Sequence, residues 1–158
     1  MKPFNMPSAR SKSKRVTVPL TLLQLDAVGS HLLIPVEINR LKSCYFVIDT
    51  GASSSVIDAG IKGLKPVLSG NDISSFALGD DTLQTSFRVI PKFSIGGVEF
   101  NHITMAALDL SGLRNTYKRL TKLKVAGLLG GDFLLSGQAV IDYRKQCISF
   151  NARNVMMT

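Results

Sequence analysis

The fold is decided by residues 46–53, which read Phe-Val-Ile-Asp-Thr-Gly-Ala-Ser. The three apolar residues predict a buried strand, and this strand ends by placing the carboxylate of Asp49 in a tight turn that contains Gly51. An Asp-Thr-Gly tripeptide alone is weak evidence, because an aspartate at a turn often serves only as a local hydrogen-bond acceptor. A second motif is therefore needed before this turn indicates any chemistry.

The second motif occupies residues 127–134, which read Gly-Leu-Leu-Gly-Gly-Asp-Phe-Leu, and its Gly130 lies 81 residues after Asp49. Two leucines precede Gly130, and a short helix is predicted to begin at Asp132 and to end before residue 137. The aspartate suits the N-cap position of that helix. The two motifs together are far more specific than either one alone.

Short apolar runs separated by turn residues predict four β-hairpins along the rest of the chain. Their turns lie at 39–42, 79–82, 96–97 and 144–146. The sequence therefore predicts an all-β fold that is mainly antiparallel.

One further helix is predicted over 113–124, because Leu113, Tyr117 and Leu120 recur at helical spacing with basic residues between them. We expect it to begin after Asp109 or Ser111. Together with the segment that follows Asp132, this gives one or two short helices beside the strands. A solvated helical face explains the basic residues of 113–124 with the fewest assumptions.

The net charge of +8 is concentrated in two segments rather than spread over the molecule. Residues 1–18 and 110–124 each hold five basic residues and no acid, which leaves −2 for the rest of the chain. Residues 1–18 are predicted to be a flexible basic tail, and 19–158 a single domain. No aromatic residue lies between the charges of the tail, which disfavours nucleic acid as a partner.

Several other classes of protein are disfavoured. No apolar run approaches the roughly 20 residues of a membrane-spanning helix, so no membrane partner is expected. The spacing of histidines and cysteines matches no metal site, and no cofactor motif is found. Cys44 and Cys147 are expected to be small buried hydrophobic residues, and His31 and His102 to be structural. Cysteine usage favours a cytoplasmic location, with a periplasmic or exported form as the alternative.

The motifs at 49–53 and 127–130 together resemble those of the retropepsin-like aspartic proteases, the single-domain relatives of pepsin. The resemblance covers roughly residues 30–150, and residues 137–144, Gly-Gln-Ala-Val-Ile-Asp-Tyr-Arg, look like the same segment of bacterial members. It implies a closed β-barrel that acts as a homodimer on a peptide or protein substrate. Residues 110–124 form a longer insertion than the compact viral enzymes have.

The resemblance also implies roles for individual residues. Asp49 is the expected catalytic residue, paired with Asp49 of a second chain. Thr50 would hydrogen-bond across the pair, and Gly51 would present its backbone to the substrate. The remaining expected roles are support of the active-site loop by Ala52 and Ser53, packing beneath that loop by Leu128, Leu129 and Gly130, and a substrate-covering flap formed by Leu78, Gly79 and Asp80.

Three hypotheses follow for the function. The first is an active homodimeric aspartic endopeptidase, and the second is an inactive retropepsin-like domain that binds peptides or dimerises. The third is a basic accessory protein that touches nucleic acid through residues 1–18. The intact Asp-Thr-Gly favours the first, because a binding domain has no need for a carboxylate that is costly to hold beside its twin.

Overall fold

The computed structural model describes residues 15–24, 29–67, 76–78, 81–83 and 86–155. Thirteen strands and two helices form within these residues. In chain order they are β1 (Arg15–Pro19), β2 (Thr21–Gln24), β3 (Ser30–Ile38), β4 (Leu41–Ile48), β5 (Val56–Asp58), β6 (Lys65–Pro66), β7 (Phe76–Leu78), β8 (Asp81–Leu83), β9 (Ser86–Ile95), β10 (Val98–Leu108), α1 (Ser111–Leu120), β11 (Val125–Leu129), α2 (Gly131–Ser136), β12 (Val140–Asp142) and β13 (Cys147–Asn151).

Six strands form a closed barrel in the order β3-β4-β11-β5-β10-β9, and β9 pairs back with β3. The β4–β11 and β5–β10 pairings are parallel, whereas the other pairings around the barrel are antiparallel. A closed barrel has no free edge, which removes the unpaired backbone groups of an open sheet. The predicted all-β, mainly antiparallel barrel with two short helices is confirmed.

The predicted hairpins form where the sequence supplies turn residues. Asn39, which tolerates a left-handed backbone, has a φ of 51° between β3 and β4. Gly96 and Gly97 have φ values of 58° and 76° between β9 and β10. A Cβ at Gly96 would also lie 2.4 Å from the side chain of Val18, so this turn requires glycine for two reasons. The pairs β7–β8 and β12–β13 complete the four hairpins, but the prediction of a turn over 79–82 is wrong in part, since Asp81 and Thr82 belong to β8 and pair with β7.

The core fills the barrel and continues under a second sheet of order β1-β13-β12. The rings of Phe46 and Phe93 lie 5.3 Å apart inside the barrel, and those of Phe133 and Phe150 lie 5.0 Å apart where α2 meets β13. All four side chains are fully buried. Aromatic pairs at such distances add to the hydrophobic contribution of the buried area.

Residues 15–18, which were predicted to belong to the basic tail, are instead part of the fold. They form most of β1, which pairs with β13 in a register that joins Arg15 to Asn151, and Val18 is only 2% exposed. The guanidinium of Arg15 donates to the carbonyl oxygen of Gln138 at 3.0 Å. The rest of the predicted tail, residues 1–14, lies outside the described residues.

Helix α1 begins at Ser111, two residues before the predicted start at Leu113, and it ends at Leu120 rather than at residue 124. Thr121 adopts an extended backbone, and its hydroxyl accepts a hydrogen bond from the amide of Leu123 at 3.1 Å. This local hydrogen bond offers the chain an alternative to further helical turns. The side chain of Tyr117 anchors the helix to the barrel beside Leu33 and Val125.

His31 and the two cysteines lie within the described residues, as do both helices. The ring of His31 packs against Tyr117, and its Nδ1 atom contacts the tyrosine hydroxyl. Cys44 is fully buried and Cys147 is half-buried, and both are free thiols. Among the described residues, neither helix has the length and apolar character required to cross a bilayer.

Candidate active site

The two motifs singled out in the sequence meet at one end of the barrel. Strand β4 runs parallel to β11 with Ile48 opposite Leu129, so the loop after β4 lies beside the residues after β11. The amide of Asp49 donates to the carbonyl oxygen of Leu129 at 3.0 Å. Leu129 is fully buried, and the half-buried Leu128 pairs with both β4 and β5.

The carboxylate of Asp49 is oriented by amides of its own loop. The amides of Gly51 and Ala52 donate to Asp49 Oδ1 at 2.9 and 3.2 Å. The two hydrogen bonds from backbone amides fix the direction of the carboxylate. Because the side chain is only half-buried, it stays in contact with solvent.

The residues after Asp49 form an exposed surface above this carboxylate. Thr50, Gly51 and Ser53 are exposed, and Ala52 is half-buried. A Cβ at Gly51 would lie 3.4 Å from Asp49 Oδ1, so a larger residue at this position would crowd the carboxylate. The predicted roles of Thr50 towards a second chain and of Gly51 towards a substrate stay predictions.

The start of α2 is joined to the Asp49 loop by backbone hydrogen bonds. The amide of Gly131 donates to the carbonyl oxygen of Ala52 at 2.8 Å, and the amide of Asp132 donates to that of Ser53 at 3.1 Å. A Cβ at Gly130 would lie 2.5 Å from the backbone of Ser54. Any other residue at 130 would therefore push the two segments apart.

Ser55 and Asp132 form a buried contact that the sequence did not reveal. Both the amide and the hydroxyl of Ser55 donate to Asp132 Oδ1, at 2.9 and 2.6 Å, and Ser55 Oγ accepts a hydrogen bond from the amide of Gly130 at 3.0 Å. The prediction that Asp132 caps α2 is wrong, since Gly130 occupies the N-cap position and Asp132 lies in the first turn. The sequence feature that could have indicated this contact is Ser55 itself, a hydroxyl residue directly before the buried strand β5.

The predicted flap is described only in part. Strands β7 and β8 pair with each other, and Leu78 lies opposite Asp81 where the two strands meet. Gly79 and Asp80, the predicted tip, lie outside the described residues. The hairpin on which the flap was predicted is therefore present, and its substrate role stays a prediction.

Several other carboxylates already have partners. Asp58 is buried and paired with Arg114, Asp142 lies 3.6 Å from Lys145, and Asp109 accepts a hydrogen bond from the amide of Ser111 at 2.8 Å. This last hydrogen bond lowers the pKa of Asp109. Within the described residues, no group of three or more histidine, cysteine or acidic side chains could hold a metal ion.

The chain matches a known protein family and is similar to two solved structures. A family model for aspartyl proteases matches residues 34–133, more than half of the chain. A search of curated proteins gives no match. Among solved structures, a retropepsin-like aspartic protease from Rickettsia conorii is 17% identical, with 92% of this chain and 96% of that chain covered and a TM-score of 0.46.

A second solved structure, that of edgp, is 14% identical and has a TM-score of 0.54. The match covers 91% of this chain and 47% of that chain, so this chain spans about half of edgp. That similarity shows a shared fold. The family model covers both the Asp49 loop and the 127–130 motif. The chain therefore belongs to the aspartyl protease family, as the resemblance of its two motifs predicted.

Proposed function

We propose that this protein is an aspartic endopeptidase that hydrolyses peptide bonds between two Asp49 carboxylates of a homodimer. The observation that carries the proposal is the carboxylate of Asp49, which lies half-exposed at the end of a buried strand and is oriented by two amides. A carboxylate held in this way can activate a water molecule without reorganising.

Two copies are needed because the reaction requires two carboxyl groups. One carboxylate accepts a proton from the attacking water, and one carboxylic acid donates a proton to the carbonyl oxygen of the substrate. Asp58, Asp132 and Asp142 each already have a partner within their own chain. A two-fold axis beside Asp49 supplies the second carboxyl group from an identical chain.

The pH dependence follows from this pairing. Two carboxylates about 3 Å apart cannot both ionise at low cost, so the pair shares one proton and titrates as a unit. One carboxyl group then acts as base while the other acts as acid. Activity is highest while the pair holds its proton and falls when the second carboxyl group ionises.

An exposed apolar surface at the end of α2 and on the hairpin that follows it supports dimerisation. Six large apolar side chains are exposed among the described residues, and Leu135, Val140 and Tyr143 account for three of them. Strand β12, which carries Val140, also pairs with β13 alone in the described sheet. Apolar exposure beside an unpaired strand edge is typical of a surface that associates. We assign this surface to the seam of the dimer.

The remaining roles follow from the position of each residue. Thr50 lies exposed next to Asp49, where it can bond to the same loop of the second chain. The substrate lies in extended form over Gly51 and pairs through its backbone as an added strand. The hairpin tipped by Leu78, Gly79 and Asp80 closes over it and excludes water. We also propose a cytoplasmic location, in which the free Cys44 and Cys147 stay reduced.

The test is cleavage of a diverse peptide library by the wild-type protein at several pH values. We expect cleavage by the wild type, none by Asp49→Asn, and normal cleavage by the control Asp109→Asn, whose carboxyl group is exposed to solvent just before α1. Retained cleavage by Asp49→Asn contradicts the proposal. Saturable peptide binding without cleavage by the wild type would favour the alternative, an inactive retropepsin-like domain that binds peptides or dimerises.

The assembly is tested by size-exclusion chromatography with light scattering. We expect a dimer at tens of micromolar protein and a shift to monomer in Val140→Lys, since a charged side chain opposes burial at the seam. The melting temperature of Val140→Lys checks that the monomer still folds. A wild-type protein that is active while strictly monomeric would contradict the shared pair of Asp49 carboxylates.

A further inference from the structure

A second concave site lies at the other end of strand β4 from Asp49. A cavity of about 600 Å³ opens between α1, the segment 121–124 and the barrel. Leu41 and Cys44 of β4 line it, so Asp49 lies about 16 to 26 Å further along the strand at 3.3 Å per residue. The cavity is therefore separate from the proposed peptidase site.

The rim of this cavity is basic. Lys118, Lys122 and Lys124 are exposed around it, and Arg114 lies beside them. Asp58, the one acidic side chain among the described residues that line the cavity, is buried and paired with Arg114, so its charge is already neutralised. None of the three lysines forms an ion pair with the described residues. The cavity thus has an excess of about three positive charges, which favours an anionic ligand.

The floor of the cavity is apolar. Leu41, Ile61, Leu123 and Val125 line it, and Val125 is 4% exposed. A volume near 600 Å³ lies in the range of small-molecule sites, which combine an apolar lining with a few polar groups. Among the described residues, no aromatic side chain lines the cavity, so these residues offer no stacking surface for nucleic-acid bases.

We propose that this cavity binds a small amphipathic anion. A phosphate or carboxylate head group contacts Lys118, Lys122 and Lys124, and an apolar tail packs on Leu41 and Val125. The insertion at 110–124 supplies every one of these cations, so the basic residues of this segment form a binding site rather than a merely solvated face.

The binding test uses four probes below micelle-forming concentrations, with amide chemical shifts as the readout. Octyl phosphate and octanoate carry both a head group and a tail, whereas inorganic phosphate and 1-octanol each lack one of them. We expect the octyl anions to shift the amides of residues 122–126 and to bind about tenfold or more tightly than either partial probe. The stronger of the two octyl anions identifies the head group.

The variant Lys118→Gln/Lys122→Gln tests the contacts. We expect it to weaken octyl anion binding about tenfold or more, because each substitution removes a charge from the rim and leaves the helix intact. The matched control is Arg144→Gln/Lys145→Gln, which removes the same charge from two exposed residues of the turn between β12 and β13 that do not line the cavity. We expect this control to bind as the wild type does.

The outcomes that overturn the proposal are distinct from those that overturn the peptidase. Equal weakening by both double variants, or shifts outside the cavity, would show nonspecific attraction. Binding of an acidic peptide but not of the octyl anions would make the cavity a protein-docking surface instead. Because Asp49 does not line the cavity, Asp49→Asn should bind octyl phosphate with unchanged affinity whether or not the wild type cleaves peptides.

Discussion

Asp49 directly follows β4 and Asp58 is the last residue of β5, yet the surroundings of the two carboxylates differ completely. Asp49 is half-buried, and its carboxylate receives hydrogen bonds from two amides of its own loop. Asp58 is 1% exposed, and its carboxylate contacts the guanidinium of Arg114 and the amide of Gly60. Because β4 runs parallel and β5 antiparallel to β11, the two strands deliver their carboxylates to opposite ends of the barrel.

This contrast shows how solvation and partners decide what a carboxylate can do. A buried carboxylate needs a cation, and once paired it contributes to the structure rather than to proton transfer. A half-exposed carboxylate that amides orient keeps a fixed direction and its access to water. The end of the barrel with Asp49 is thus suited to chemistry, and the end with Asp58 to holding α1 in place.

Replacing each carboxylate by an amide should separate the two roles most strongly. We expect Asp49→Asn to lower kcat/KM by about 10³-fold or more while the melting temperature stays close to that of the wild type. Asp58→Asn should retain kcat/KM per folded molecule and lose stability. Peptide kinetics and urea unfolding on both variants check this. A large loss of kcat/KM in Asp58→Asn would contradict the assignment of Asp58 to stability alone.

Removing the cation instead of the carboxylate should give the largest loss of stability. Arg114→Met leaves the charge of Asp58 buried without a partner, which we expect to lower the free energy of unfolding by about 3 kcal/mol. The double variant Asp58→Asn/Arg114→Met should recover much of this loss, because no buried charge remains. Urea unfolding of the two single variants and the double variant measures the coupling, and purely additive losses would mean that the ion pair is not the cause.

Ser55 allows a test of how the Asp49 end is supported. We expect Ser55→Ala to lower the free energy of unfolding by about 1 to 2 kcal/mol, because Asp132 and the amide of Gly130 lose their hydroxyl partner. Ser53→Ala is the matched control, since that residue is exposed and joins α2 through its backbone. Equal effects of the two substitutions in urea unfolding would show that the hydroxyl of Ser55 is dispensable.

The smallest effect concerns Cys44, which lines the cavity near Asp58. Burial raises its pKa to about 11, so the folded protein keeps the thiol protonated above pH 9 while the unfolded chain loses that proton. The buried neutral thiol therefore contributes fully to the free energy of unfolding below pH 9. This contribution declines as the pH rises towards 11, and it is about 1 kcal/mol smaller near pH 10. The free energies of unfolding of the wild type and Cys44→Ala, measured as a function of pH, should diverge over this range. Parallel pH dependences would contradict a water-excluded environment for the Cys44 thiol.

The sequence predicted the local features of the fold well. Turn residues such as Asn39 and the Gly96–Gly97 pair specify hairpins through their own backbone preferences, which do not depend on distant residues. The Asp49 loop was found because its motif is contiguous and because a second contiguous motif supports it. Features of this kind can be recognised within a short window of sequence.

The features that were missed depend on residues far apart in the chain. Arg15 was assigned to a charged tail because nothing near it indicates that β13, more than 130 residues away, completes a sheet with it. Asp132 looked like a helix cap, and its partner Ser55 lies 77 residues earlier. Asp58 and Arg114, which form an ion pair, lie 56 residues apart. Tertiary contacts override local preference at such positions.

Mixing wild-type and Asp49→Asn chains tests the central claim, that one site uses Asp49 from two chains. The mixture is equilibrated at a fixed total concentration well above the dimer dissociation constant, and peptide hydrolysis is followed as the fraction of wild type varies. With a shared site, only wild-type homodimers are active, so an equal mixture should retain about one quarter of the wild-type rate. A rate near one half, linear in the wild-type fraction, would show that each chain acts alone and would contradict the account.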